Sequence, residues 1–301
     1  MKTVRRNIYA YQIRAEDEHG RKLKYSDFGM LFQAISALDL SHRVMDKDER
    51  GFIFMDEYNI LTDNKGFGWF KSARIGDRPP VISRTRLTER DNPRDEDEGD
   101  CLKTHFYFRP DDGLILIEYV HEAVARIGAI RRYIFRSINN FPELNHLRNF
   151  YIETLISRGF LERINEFGKI SIAKIQVSTI ESPPNDYGDL PAALHTSLQE
   201  ARASYYTLEA RAGRENRKDG MSHNKIKGFI SKFLGKETIN PTFLNGILIG
   251  FKPDGQKHEL KLKGCEERRQ VNLQADDLGQ IVTLSIREKM IAMANEIPII
   301  R

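Results

Sequence analysis

Between residues 51 and 121 the apolar residues come in strand-sized runs closed by turn formers, and this punctuation restricts the fold more than any other feature. Residues 51–55, 57–61, 67–74 and 81–86 read as strands, separated by Asp63-Asn64-Lys65-Gly66 and Gly76-Asp77-Arg78-Pro79-Pro80. A hairpin over 103–109 and 114–121 follows, turned by Pro110-Asp111-Asp112-Gly113. The pattern is a meander of antiparallel character.

Helices are expected around it. Ser26-Asp27 precedes Met30, Leu31, Ala34, Ile35 and Leu38 at helical spacing, and residues 4–14 before it alternate as an opening strand. Residues 122–138 place Val124, Ile127, Ile130, Ile134 and Ile138 on one stripe, and Pro142 opens a further helix to about residue 158. A domain boundary is expected near Phe167–Gly168, giving domains 1–167 and 168–301. The second reads as a strand at 169–179, a long helix at 190–212 and a shorter one at 222–234. Three strands within 243–274 and a last helix at 284–295 complete it. The fold class is α+β: an antiparallel meander with helices, plus a second, smaller α+β domain.

With 40% hydrophobic and 30% charged residues, whole-chain disorder is excluded. No apolar run approaches the roughly 20 residues that span a bilayer, and no apolar segment follows the basic start. A cytoplasmic protein is therefore expected. Cys101 and Cys265 are isolated, and the eight histidines form no HxH or HxxxH pair, so no thiolate or imidazole metal site and no cofactor is expected, while carboxylate-only metal binding stays open.

Charge is distributed more tellingly than its total of +4. Residues 88–100 hold seven acids against Arg90 and Arg94, with no apolar residue, and read as a mobile acidic loop. Residues 211–236 hold eight bases against Glu215 and Asp219. On the helix expected after Ser222, Lys225, Lys232 and Lys236 fall on one ridge beside the stripe Ile226, Phe229, Ile230, Phe233. Aligned ammonium groups on a docked helix suit a phosphate backbone, although a solvated face would look the same. Arg214, Arg217, Lys218 and Lys227 lie in the same run, and Arg132 and Arg136 stand opposite the isoleucine stripe, one turn apart. Arg131 points into the edge of that stripe instead. Arg84, Arg86 and Arg90 share a period of two and would form a basic face beside the acidic loop.

An alternative is metal-dependent nuclease chemistry. Pro253-Asp254 with Glu259-Leu260-Lys261 has the PD…ExK pattern, in which two carboxylates hold a divalent ion and the lysine positions water. Pro253-Asp254-Gly255 is also ordinary turn chemistry. Arg217 and His223 match the loose spacing of HEPN-type RNases, but Gly220 interrupts the helix that pair needs. The interval from Gly228 to Lys236 is no phosphate loop, since its glycine gap is wrong and Glu237 follows the lysine.

The element order resembles that of the RexA family of prophage-encoded phage-exclusion (abortive infection) proteins. The residues that carry the likeness are Asn7-Ile8-Tyr9-Ala10-Tyr11 on the first strand and Phe67-Gly68-Trp69-Phe70-Lys71 closing the meander. Polar strands over 246–274 around an Asp-Gly turn, and the amphipathic helix at 285–296, complete it. The likeness is one of layout over most of the chain, and no functional residue carries over by position. It implies a homodimer that binds double-stranded DNA, with a second domain that swivels on a mixed α/β body. It also implies an anti-phage sensor acting with a separately encoded membrane effector.

Overall fold

The computed structural model describes residues 2–76, 79–157, 161–178, 205–213, 215, 218–234, 238–239, 243–261 and 266–299. Its strands are β1 (Lys2–Asp17), β2 (Met45–Asp48), β3 (Gly51–Ile60), β4 (Gly66–Arg74), β5 (Val81–Ile82), β6 (Glu89–Arg90), β7 (Leu102–Arg109) and β8 (Leu114–Tyr119). They continue with β9 (Leu147–Leu155), β10 (Lys169–Ser178), β11 (Tyr205–Arg211), β12 (Thr238–Ile239), β13 (Phe243–Phe251), β14 (Lys257–Lys261) and β15 (Arg268–Ala275). The helices are α1 (Tyr25–Ser36), α2 (Leu40–Arg43), α3 (Ile127–Ile138), α4 (His223–Leu234) and α5 (Thr283–Glu296). The fold is α+β, built on mostly antiparallel sheets.

The chain divides into two compact units, Met1–Ile152 with Arg269–Arg301, and Glu153–Arg268. The last strand and helix thus belong with the N-terminal residues, because α5 packs on β7 and β8.

In the first unit the strand order is β9-β1-β8-β7-β4-β3-β2, and β15 also pairs β1. The central strands are buried on both faces, so β4 and β8 read as nearly continuous apolar runs. On one face α1 inserts Phe28, Leu31, Phe32 and Ile35, spaced for a single helical stripe, and α3 adds Ile130, Tyr133, Ile134 and Ile138. The Phe32 ring meets Tyr58, Phe106 and Phe108 edge-on at 5.4–5.6 Å, contacts each worth about 0.5–1.5 kcal/mol beyond burial. The opposite face takes α5 through Ile286, Met290, Met293 and Ala294.

The two strands expected at 51–55 and 57–61 are one strand with a bulge, since pairing with β4 shifts register between Met55 and Glu57. The Met55 N–H donates to the Tyr133 hydroxyl at 3.0 Å. At the bulge, Asp56 accepts from Trp69 Nε1 at 2.8 Å and pairs with Lys71 at 2.9 Å. Burial pushes its carboxyl up, but these partners outweigh that and hold it below the ordinary range.

Three further expectations for secondary structure fail. The helix from Pro142 is a single 3-10 turn, Pro142–Leu144, followed by strand β9, whose Phe150, Tyr151, Ile152 and Thr154 favour extended backbone. The end of the helix expected at 190–212 is strand β11, and residues 190–204 lie outside the described residues. The strand expected at 81–86 stops at Ile82, so Arg84 and Arg86 sit in the turn of the small β5–β6 hairpin rather than on one basic face. The acidic segment makes local bonds of its own: Arg94 pairs with Asp100, and Glu98 accepts from the Asp95 N–H at 3.0 Å.

Asp17 closes the turn after β1, accepting from the N–H groups of His19 and Arg21 at 2.8 Å each and from Arg21 Nε at 2.6 Å. Burial raises its pKa, yet these donors bring it from 3.8 down to about 2. The folded value is depressed, so the stability it contributes is complete above 3.8 and lost as pH falls through about 2. Melting temperatures of the wild type and Asp17→Asn should therefore converge across that window. A gap that stays constant to pH 2 refutes the assignment.

In the second unit the sheet order is β11-β10-β13-β14, entirely antiparallel. Its core gathers Ile164, Phe167, Ile170, Ala173, Ile175, Leu248 and Leu260 with Ile226 and Ile230 of α4. Gly250 is required here, because a Cβ would lie 1.9 Å from the Lys169 carbonyl oxygen. The pairing of β10 with β13 slips by one residue beside it, between Ile170 and Ile172. The last residues of β9, Thr154 and Leu155, pair with β12.

Candidate functional site

The α4 helix starts just after Ser222 because Gly220, at φ +76°, takes a left-handed turn that few other residues tolerate. His223 Nε2–H donates to the Phe167 carbonyl at 2.8 Å and fixes the first turn. Ile226 and Ile230 point into the core, and Lys225 is exposed with no ion-pair partner among the described residues. Lys227 faces another way, and its ammonium lies 3.7 Å from Glu162. Lys218 is exposed in the preceding turn. Lys232 continues the helix, but its side chain is outside the described residues, as are Lys236, Arg214 and Arg217. Gly228 sits within the helix, not in a loop.

The fold divides the basic run. Arg211 does not join the helix ridge; it ends β11, where it and Lys174 both pair with Glu209. Hydrogen bonds from Lys174 and Arg211 hold the Glu209 carboxyl below its usual range. In the first unit, Arg132 and Arg136 are exposed on α3, on the side away from Ile130 and Ile134, while Arg131 is half-buried.

The nuclease-like residues occupy the β13–β14 hairpin. Asp254 Oδ1 accepts from the Gln256 N–H at 2.9 Å, which closes the turn in the manner of an Asx turn. Glu259 and Lys261 share the outer face of β14, with Lys261 Nζ 3.8 Å from Glu259. Among the described residues no group of three or more His, Cys, Asp or Glu side chains is placed to hold a metal ion. Cys101 is an exposed free thiol, and Cys265 lies outside the described residues.

Two polar clusters in the first unit escape sequence reasoning. His105 Nδ1 lies 2.7 Å from Glu118 Oε2, Arg6 Nε lies 3.3 Å from Glu118 Oε1, and His105 Nε2 lies 3.5 Å from the Thr283 hydroxyl. The His105 and Glu118 side chains are each 1% exposed, so this pair is enclosed in the core, while Thr283 at its edge is only part-buried. The second cluster is the buried pair of Arg109 and Asp112, which holds the end of α5. The core of each is local, Arg109 with Asp112 in one turn and His105 with Glu118 across one hairpin, but their partners on β1 and at the two ends of α5 are distant in sequence.

Among known proteins, a family model described as a domain of unknown function, DUF4747, matches residues 4–228, which is most of the chain. No curated protein matches it.

Proposed function

The chain belongs to the DUF4747 family, and we propose that it is a sequence-tolerant binder of double-stranded DNA acting as the sensor of a prophage-encoded anti-phage (abortive infection) system. The observation that carries the binding reading is Lys225, exposed and unpaired among the described residues on a helix anchored by Ile226 and Ile230. The backbone of a docked helix is already ordered, so only side-chain freedom is lost when a phosphate arrives. Lys218 on the same unit, and Arg132 and Arg136 on α3, add exposed cations to the chain. The sensor reading rests on the layout shared with the RexA family. That layout also supports a homodimer and a separately encoded membrane effector. Among the described residues no helix is long and apolar enough to cross a membrane.

Fluorescence anisotropy on a mixed-sequence duplex tests this. The logarithm of affinity should fall linearly with log salt, by about 0.9 in slope for each phosphate contacted. Replacing Lys225, Lys232 and Lys236 together by glutamate should flatten that slope and weaken binding. Wild-type affinity in the triple variant removes this helix from the interface. Plasmid incubated with Mg²⁺ should stay intact; cleavage abolished by Glu259→Ala would replace the binding reading with the nuclease one.

A further inference from the structure

Every sheet has two faces, and among the described residues of the second unit only one of them is covered. Ile170, Ala173, Ile175, Leu248 and Leu260 point toward α4 and form the core. Alternate residues point the other way, and the strand registers align them in rows. Arg211, Ile172, Ile249 and Glu259 lie side by side in one row. Glu209, Lys174, Ile247 and Lys261 form the next. Phe251, 41% exposed, stands opposite Lys169 and Lys257.

The centre of this face is aliphatic and its rim is cationic. Ile172, Ile247 and Ile249 are half-buried but belong to no core cluster of the described residues. Lys174 and Arg211 share the one carboxylate of Glu209, so that corner keeps a positive charge. Lys257 has no ion-pair partner among the described residues. Lys169 Nζ lies 5.9 Å from the centre of the Phe251 ring. Among the described residues, five cations thus surround the apolar patch against two acids, Glu209 and Glu259.

We propose that this open face binds single-stranded nucleic acid, with bases on Ile172, Ile247, Ile249 and Phe251 and phosphates on Lys174, Arg211, Lys257 and Lys261. A duplex presents sugars and phosphates outward, and an aliphatic patch offers them nothing. Unpaired bases expose apolar π faces along a charged backbone, and an apolar surface within a basic frame matches both at once. The excess of cations favours a polyanion over a neutral or basic protein surface. This goes beyond the duplex reading, and it uses the side of the sheet away from α4, independent of Lys225.

The test measures anisotropy of a labelled oligothymidine and of a duplex of equal length with the full chain. Lys257→Glu with Lys261→Glu should weaken single-strand binding and flatten its log–log salt slope by about 0.7 for each phosphate that is no longer neutralised. Phe251→Ala should weaken it about tenfold, within the range for removing one stacking ring. Lys225→Glu should weaken it less than the Lys257→Glu, Lys261→Glu pair does. The lysines and Phe251 are solvent-exposed, so the variants should fold, which circular dichroism checks. Duplex binding by the wild type without single-strand binding overturns this inference and leaves the duplex reading standing. Single-strand binding abolished in the Lys257→Glu, Lys261→Glu variant supports it even if the duplex is not bound. Binding of neither overturns both. A wild-type dimer that Phe251→Asp converts to monomers with single-strand affinity intact makes the face an interface between copies, and the proposal falls.

Discussion

Arg109→Ala should cost the first unit about 3–5 kcal/mol, the range for removing one partner of a buried ion pair. The guanidinium grips Asp112 through Nε at 2.9 Å and Nη2 at 2.6 Å, a bidentate pair whose side chains are 6% and 0% exposed. Its remaining hydrogens reach carbonyls in the last turn of α5 and just beyond its end. Nη1 donates to Ala294 at 2.6 Å and Ile297 at 2.9 Å, and Nη2 to Pro298 at 3.1 Å. One side chain therefore ties the β7–β8 turn to a segment 185 residues away. Alanine would leave a buried carboxylate without its cation and three carbonyls without that donor. Lysine keeps the charge but not the fork, and should fall between. Urea unfolding followed by Trp69, the single tryptophan and a residue of the same sheet, gives the readout. A midpoint equal to wild type would show that the clamp contributes nothing.

The second large effect is expected at Glu118. Its Oε2 accepts from the His105 ring at 2.7 Å and from the His105 backbone N–H at 3.3 Å, and its Oε1 faces Arg6. Glu118→Ala should destabilise the unit by about 1–3 kcal/mol, since it leaves buried donors without an acceptor. The physical account is sharpened by a double variant. Replacing both Glu118 and His105 by leucine removes acceptor and donor together, so it should cost less than the sum of the singles. Additive losses would mean that the two side chains do not act as a pair. The His105 ring lies 6.1 Å from that of Trp69, so the near-ultraviolet spectrum should change in each variant.

Much of the local structure was legible. The β7–β8 hairpin follows from Pro110-Asp111-Asp112-Gly113, where Gly113 takes φ +73°. The α1, α3, α4 and α5 stripes follow from helical spacing, though α3 begins only at Ile127. The failures have a common cause. In 147–155, Leu147, Phe150 and Leu155 suit a helix as well as a strand, and the choice falls to pairing with β1 and β12. In 205–211 the alternation of Tyr206, Leu208 and Ala210 is a strand signal, masked by the helix-forming residues before it.

The candidate site shows the same division. The excess of lysine and arginine over 211–236 is plain in the residue order, as is the helix that presents Lys225. The partners are not. Lys227 lies beside Glu162, and Arg211 joins Lys174 and Lys261 on a sheet face far from it in sequence. The Glu259–Lys261 spacing that suggests metal chemistry is the period of a strand, which places both on that same outer face.

Residue order alone decides what lies within a few positions: turns, helical stripes, the fold class and the separation of acidic from basic runs. These follow from backbone sterics and side-chain periodicity, which need no distant partner. Assembly of the chain decides the rest. It sends the last helix back to the first sheet through Arg109 and Asp112, and it encloses Glu118 with His105 and Arg6. Among the described residues it also lines one side of the second sheet with cations around an aliphatic centre. Those outcomes depend on which groups lose water together, and residues far apart in sequence settle that jointly.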